Sequence, residues 1–203
     1  RCWRGDHAKE CVVRRVVVTG LGCVSPLGNT VEAMWSAMRR AESGIDVLEE
    51  PFEIPTQIAG CVKDFDPLLA MSSKEIRRFD LFVQYAAEAG RQALIDASIE
   101  VDAILAPRFG VAVGSGIGGM TFIEKNHTEL LEHSCKRVSP FFIPGMIINM
   151  ASGFLSMRHD LQGPSISIVT ACTSGAHNIG HAARMIMHGD ADMMLAGGSE
   201  KAT

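Results

Sequence analysis

Four short apolar runs, each ending at or beside glycine or threonine, alternate with segments of helical period. They are VVRRVVVTGLG from Val12, RFGVAVGSGIGG from Arg108, SISIV from Ser165 and ADMMLAGG from Ala191. Runs this apolar read as strands buried on both faces, as in a parallel sheet. Parallel neighbours need a crossover of a dozen or more residues, and the intervening segments are long enough. The chain is therefore expected to form an α/β layered sandwich, a mostly parallel sheet between helices.

The helical segments carry their own boundaries. NTVEAMWSAMRRAESG offers Asn29 or Thr30 as a cap, an apolar stripe of Val31, Met34, Trp35 and Met38, and Gly44 as a stop. A proline-rich connection, PFEIPTQIAG, follows. MSSKEIRRFDLFVQYAAEAGRQALIDAS reads as one long helix with a capping box from Ser72 to Glu75. MTFIEKNHTELLEH is a helix. SPFFIPGMIINMASGFLSMRHDLQG reads as a loop and then a helix ending at Gly163, and TSGAHNIGHAARMIMH as a helix stopped by Gly189.

At 203 residues the chain is long enough for one domain or for half of a larger unit. A net charge of −4 argues against a general nucleic-acid binder. No run approaches the roughly 18 apolar residues of a membrane span, and the polar first ten residues do not read as a signal peptide. Six scattered cysteines in a chain of this length read as reduced thiols in a cytoplasmic setting. Cys2, His7 and Cys11 lack a fourth ligand, so residues 1–12 read as a disordered extension and not a metal site. The first residue is not Met and the last follow a strand-like run, so the chain reads as a piece of a longer protein.

Cys172 lies where SISIV passes into the next helix. In open α/β sheets ligands bind at that carboxyl edge. The helix start offers unpaired N–H groups and a partial positive charge, which favour a thiolate and an oxyanion. A free thiol of pKa near 8.5 is only about 3 % ionised at pH 7, and lowering it to about 7 makes that about half. Ala171, Thr173, Ser174, Gly175 and Ala176 keep the approach open, much as at a serine nucleophile elbow. The competing reading is a small buried hydrophobe.

His177 and His181 have chelating spacing but no third ligand, and His177 lies more than a turn beyond Cys172, so packing or interface roles are expected. GSGIGG at 114–119 fits a dinucleotide fingerprint, yet no second strand ending in an acid follows at the required distance. A tight turn beside a substrate explains those glycines equally well. Lys74, Arg77 and Arg78 share one helical face, and Lys136 with Arg137 forms a second cluster; on an acidic chain these suit an acidic partner. PFFIPGMIINM suits an adaptable pocket for a flexible apolar chain, with each buried methylene worth about 0.8 kcal/mol.

VVVTGLGCVSPLGNTVEAMW, GSGIGG, SPFFIP, GPSISIVTACTSGAHNIGHAARMI and GDADMMLAGGSEKA closely resemble the β-ketoacyl-[acyl-carrier-protein] synthases, the type II condensing enzymes of bacterial fatty-acid synthesis. The likeness runs from Val13 to Thr203. It implies a thiolase-like layered fold, two similar halves each with a mixed, mostly parallel five-stranded sheet, and a homodimer. Residues 13–203 then form the N-terminal half.

The resemblance places the family's acyl-accepting cysteine on Cys172, its pocket gate on Ile117 and an acyl-pocket position near the dimer interface on Phe142. Half of the oxyanion hole falls on the backbone N–H of Cys172. The carrier-protein dock falls on Lys74, Arg77, Arg78, Lys136 and Arg137. The implied partners are acyl- and malonyl-loaded acyl carrier protein, with no metal, organic cofactor, nucleic acid or membrane. The family's two catalytic histidines, its lysine and the second oxyanion donor fall outside this sequence. The 203-residue chain alone is therefore expected to be inactive in condensation and to carry a large apolar face. A polyketide-type ketosynthase and a nucleotide-binding oxidoreductase using GSGIGG remain the alternatives.

Overall fold

A computed structural model of the chain describes residues 14–48 and 55–201. The extension expected over residues 1–12, with Cys2, His7 and Cys11, lies outside them.

The centre of the fold is a parallel sheet in the order β4–β3–β5, formed by Phe109–Gly114 (β3), Ser165–Ile166 (β4) and Met193–Gly198 (β5). Every residue of β3 is buried. Val111 and Val113 join a core with Phe82 and Val83 of α3 (Leu81–Asp96) and Phe154 and Leu155 of α6 (Met150–His159). Gly114 has the opposite parity, and a Cβ there would lie 2.3 Å from Asn178 of α7 (Ser174–His188). Helices thus cover both faces, as the alternation of side chains along a strand requires. This is the expected three-layer α/β arrangement.

Among the described residues this sheet has three strands where five were expected, and the first apolar run accounts for part of the difference. Its described residues, 14–22, form no strand. They lie along α3, where a Cβ on Gly20 or Gly22 would fall 2.2 Å from the Ala93 carbonyl oxygen or 1.8 Å from that of Ala89. The Leu21 N–H donates to Asp96 Oδ2 and the Cys23 N–H to Gln92 Oε1. Val17 and Val18 stay 64 % and 77 % exposed. Apolar β-branched residues favour a strand, but a strand needs a neighbouring edge, and none among the described residues pairs with this run.

The long helix expected over 71–98 is two. α2 (Ser73–Ile76) opens with the Ser72–Glu75 capping box, and α3 begins after Asp80. The break is held from outside. The Gln84 amide donates to the carbonyls of Ile76 and Phe79, the Asp80 N–H donates to Gly145 O, and Asp80 Oδ2 accepts the Phe122 N–H at 2.7 Å. Asp80 thereby caps α4 (Met120–Glu132), whose own N-cap, Gly119, has no side chain.

Thr30 caps α1 (Val31–Arg39), which ends before Gly44. A short antiparallel pair joins β1 (Asp46–Val47), before the proline-rich connection, to β2 (Ile58–Ala59) at its end. α5 (Phe142–Met146) precedes α6, and α6 stops at a left-handed Asp160, not at Gly163. Gly163 instead allows close approach to Phe109, whose carbonyl carbon would lie 2.7 Å from a Cβ there. Gly189 ends α7 in the left-handed conformation as expected. No helix among the described residues is long and apolar enough to cross a membrane.

Candidate active site

Cys172 is exposed in the turn between residue 170 and α7. The turn is closed by the Thr173 N–H on Thr170 O and the Ser174 N–H on Ala171 O, and neither bond uses the Cys172 N–H. Ala171 adopts φ 52°, a left-handed conformation that costs a non-glycine residue about 1–2 kcal/mol. The surroundings hold it there. Buried Ser174 donates its hydroxyl to Ala171 O and accepts the Thr170 N–H. The strain falls on the residue immediately before Cys172.

Asn178 anchors the turn one helical turn further on. It is fully buried; its amide donates to Ile168 O and Ser174 O, and its carbonyl accepts the Ile168 N–H. The local pattern around Cys172 points to Ser174 only as a small neighbour and does not point to Asn178. A short polar residue on the sheet-facing side of a helix was the available signal.

A cleft of about 420 Å³ opens at this point, lined by Cys172 and Ser174, by Ile117 in the glycine-rich turn after β3, and by Ser199 and Glu200 after β5. Gly175 and Gly198 also border it, so close that a Cβ on Gly198 would lie 2.7 Å from Gly175 Cα. The structure therefore brings Cys172 and Ile117 together. Phe142, at the start of α5, is not among the lining residues.

The glycine-rich turn is occupied from within the chain. Glu200 Oε2 accepts the N–H groups of Gly116 and Ile117 at 2.6 and 3.1 Å, and Oε1 accepts the Ser115 hydroxyl. The amides that would cradle a phosphate in a dinucleotide site already hold a carboxylate. Like charge at that position repels a pyrophosphate, and the oxidoreductase alternative loses its binding site.

His177 faces Thr170, with Nδ1 2.7 Å from Oγ1, and His181 is exposed on the same helix. No group of three or more His, Cys, Asp or Glu residues among those described could hold a metal. Lys74, Arg77, Lys136 and Arg137 are exposed and make none of the ion pairs found between described residues. The Arg78 guanidinium stacks 4.2 Å above Phe141, which ties the loop after α2 to the segment leading out of residues 135–137.

Helices on both faces of a parallel sheet, with a strained thiol turn at its carboxyl edge, make an α/β layered protein of the thiolase-like kind that the resemblance implies. Residues 13–203 match the β-ketoacyl synthase N-terminal domain, and the chain belongs to the β-ketoacyl synthase family. It is 58 % identical to 3-oxoacyl-[acyl-carrier-protein] synthase 2 of Coxiella burnetii over 192 residues, which cover 94 % of this chain and 46 % of that protein. The protein of that name from Vibrio harveyi is 54 % identical over the same shares. The chain thus spans about half the length of these relatives.

Among solved structures, a β-ketoacyl synthase from Burkholderia phymatum aligns with TM-score 0.82 at 28 % identity, covering 92 % of this chain and 47 % of that one. A complex of a type II polyketide synthase acyl-carrier protein with its ketosynthase, bound to the hexaketide, aligns at 0.81 and 29 %, covering 92 % and 51 %.

Proposed function

We propose that Cys172 is the acyl acceptor of a 3-oxoacyl-[acyl-carrier-protein] synthase acting in fatty-acid elongation. The Cys172 thiolate attacks the thioester carbonyl of an acyl group carried on acyl carrier protein. A C–S bond forms, the carbonyl oxygen takes the charge, and the carrier's thiolate leaves as that oxyanion collapses. The Cys172 N–H, which neither bond closing the turn uses, and the N-terminus of α7 favour negative charge on that oxygen. In the second step malonyl carrier protein loses its carboxylate as CO2. The electron pair left on its α-carbon attacks the acyl carbonyl, and Cys172 departs as the 3-oxoacyl carrier is released. The groups that the family resemblance assigns to decarboxylation are not among these 203 residues, so the assay needs the full-length protein.

One observation carries the reading: a small, exposed thiol held in a left-handed turn at the mouth of the cleft, in a chain of this family. The names of the 58 % and 54 % identical relatives favour fatty-acid elongation, whereas the polyketide neighbour stands at 29 %. Lys74, Arg77, Arg78, Lys136 and Arg137 form the proposed dock for the acidic carrier protein. Ile117, and Phe142 from further away, are the proposed acyl-binding residues. Residues 13–203 act as the N-terminal half of a homodimeric, cytoplasmic enzyme. Exposed Trp35, Met38, Val169 and Ile179 are consistent with further apolar surface being covered there.

The test is to incubate full-length protein with long-chain acyl carrier protein and map the acylated residue by mass spectrometry. A thioester on Cys172, lost in Cys172→Ala together with elongation, is the expected result. Acylation elsewhere with Cys172 untouched would discard the proposal.

A further inference from the structure

We infer that Glu200 is a positioning residue that fixes Ile117 at the mouth of the Cys172 cleft and thereby sets which acyl chains the site accepts. This rests on the reading of Cys172 as the acyl acceptor. β5 runs in register with β3, from Phe109 opposite Met193 to Gly114 opposite Gly198. The ladder goes one step further, with the Ser199 N–H on Gly114 O at 2.9 Å. Glu200 is thus delivered against the turn that follows β3.

Its carboxylate holds Ser115, Gly116 and Ile117 at once, and Ser115 Oγ in turn accepts the Gly118 N–H at 3.1 Å. Gly118 sits at φ 82°, and a Cβ on Gly116 would lie 2.8 Å from Glu200 Oε2. Three successive residues are therefore bonded to one carboxylate, and the fourth is tied to it through Ser115. Hydrogen bonds to an ionised group are about twice as strong as neutral ones, and a turn built on them is correspondingly stiff.

Ile117 is the one bulky apolar side chain among the residues lining the cleft; the others are glycine, alanine, serine, cysteine and Glu200 itself. It is 46 % exposed. With that much of its surface uncovered, its placement depends on the backbone beneath it as well as on packing. An acyl chain bound beside Cys172 in this cleft shares it with Ile117, and its fit depends on where that backbone is held.

The experiment compares full-length wild type with Glu200→Ala and Glu200→Gln by three readouts. These are amide hydrogen exchange over residues 115–118, alkylation of Cys172 by iodoacetamide, and transfer of short and long acyl chains from acyl carrier protein to Cys172. Glu200→Ala should speed exchange in the turn about tenfold or more. It should leave alkylation by the small electrophile within about twofold and shift the ratio of long- to short-chain transfer. Glu200→Gln keeps a carbonyl oxygen for the two amides and should restore most of the wild-type ratio. Unchanged exchange in Glu200→Ala would overturn the inference. So would a uniform loss across all chain lengths in step with lost thermal stability. Failure of wild type to acylate Cys172 at all would overturn the parent reading, while the exchange comparison still decides the contact.

Discussion

The side chain of Asn178, on α7, pairs with the backbone of Ile168 as a neighbouring strand would: its Nδ2 donates to Ile168 O at 2.9 Å and its Oδ1 accepts the Ile168 N–H at 3.0 Å. β4 has only two residues, and beyond it the chain would otherwise leave its backbone groups unpaired below the Cys172 turn. Asn178→Ala removes both bonds and opens a buried polar gap. A loss of about 2–4 kcal/mol is expected from urea unfolding, with slower labelling of Cys172 as the turn loosens.

Gly175 and Gly198 meet where α7 starts beside the end of β5. A methyl on Gly198 would sit 2.7 Å from Gly175 Cα and 2.9 Å from its nitrogen, and both partners are backbone. Gly198→Ala must therefore push the helix start away from the sheet. A loss of about 1–3 kcal/mol and a displaced Cys172 are expected, measured by thermal unfolding and by the rate of Cys172 alkylation.

Glu88 is 2 % exposed on α3, and Arg91 grips it through Nε and Nη2, both at 2.8 Å. Burial pushes its carboxyl up, but bonds from Arg91 and Gln92 outweigh that and hold it below the ordinary carboxylate value. Gln92 also takes the Cys23 N–H and donates to Asn29 O, so this cluster fixes the loop before α1. Arg91→Leu leaves a buried charge without its cation. Destabilisation of about 3–5 kcal/mol is expected by chemical denaturation, and Arg91→Leu with Glu88→Leu should recover much of it.

Asp192 accepts hydrogen bonds from Arg108 and Arg14, which hold its carboxyl down at about 2 from an ordinary 3.8. A depressed folded pKa stabilises the fold above the unfolded value, and that contribution is lost as pH falls from about 4 through about 2. Asp192→Asn should be less stable than wild type at neutral pH, and the two acid-unfolding curves should converge near pH 2. His159 acts at higher pH. Burial, and then Arg158, lower its pKa from 6.5, so the unfolded chain takes up a proton first and stability falls as pH drops below about 6.5. His159→Phe should flatten that upper part of the curve.

Strands and helices with local signals were legible in the chain itself. FGVAVG is apolar throughout and buried on both faces, and MMLAGG is apolar beside it and half-buried. Thr30, the Ser72–Glu75 box and Gly189 marked helix ends through bonds made within a few residues. Cys172 was legible for the same reason, since a thiol among small residues at a strand–helix junction is a pattern of neighbours. Long-range packing set the rest. The run at 14–22 has strand residues but no paired edge and lies along α3. The expected helix over 71–98 breaks because Asp80 and Gln84 bond to α4, the α5 segment and the turn before α3. Glu200 reaches the glycine-rich turn 84 residues earlier in the chain only because β5 runs beside β3 in register. Local patterns fix which conformations are cheap. Which distant backbone groups meet, and so which carboxylate fills which turn, is set by packing that no short stretch of sequence contains.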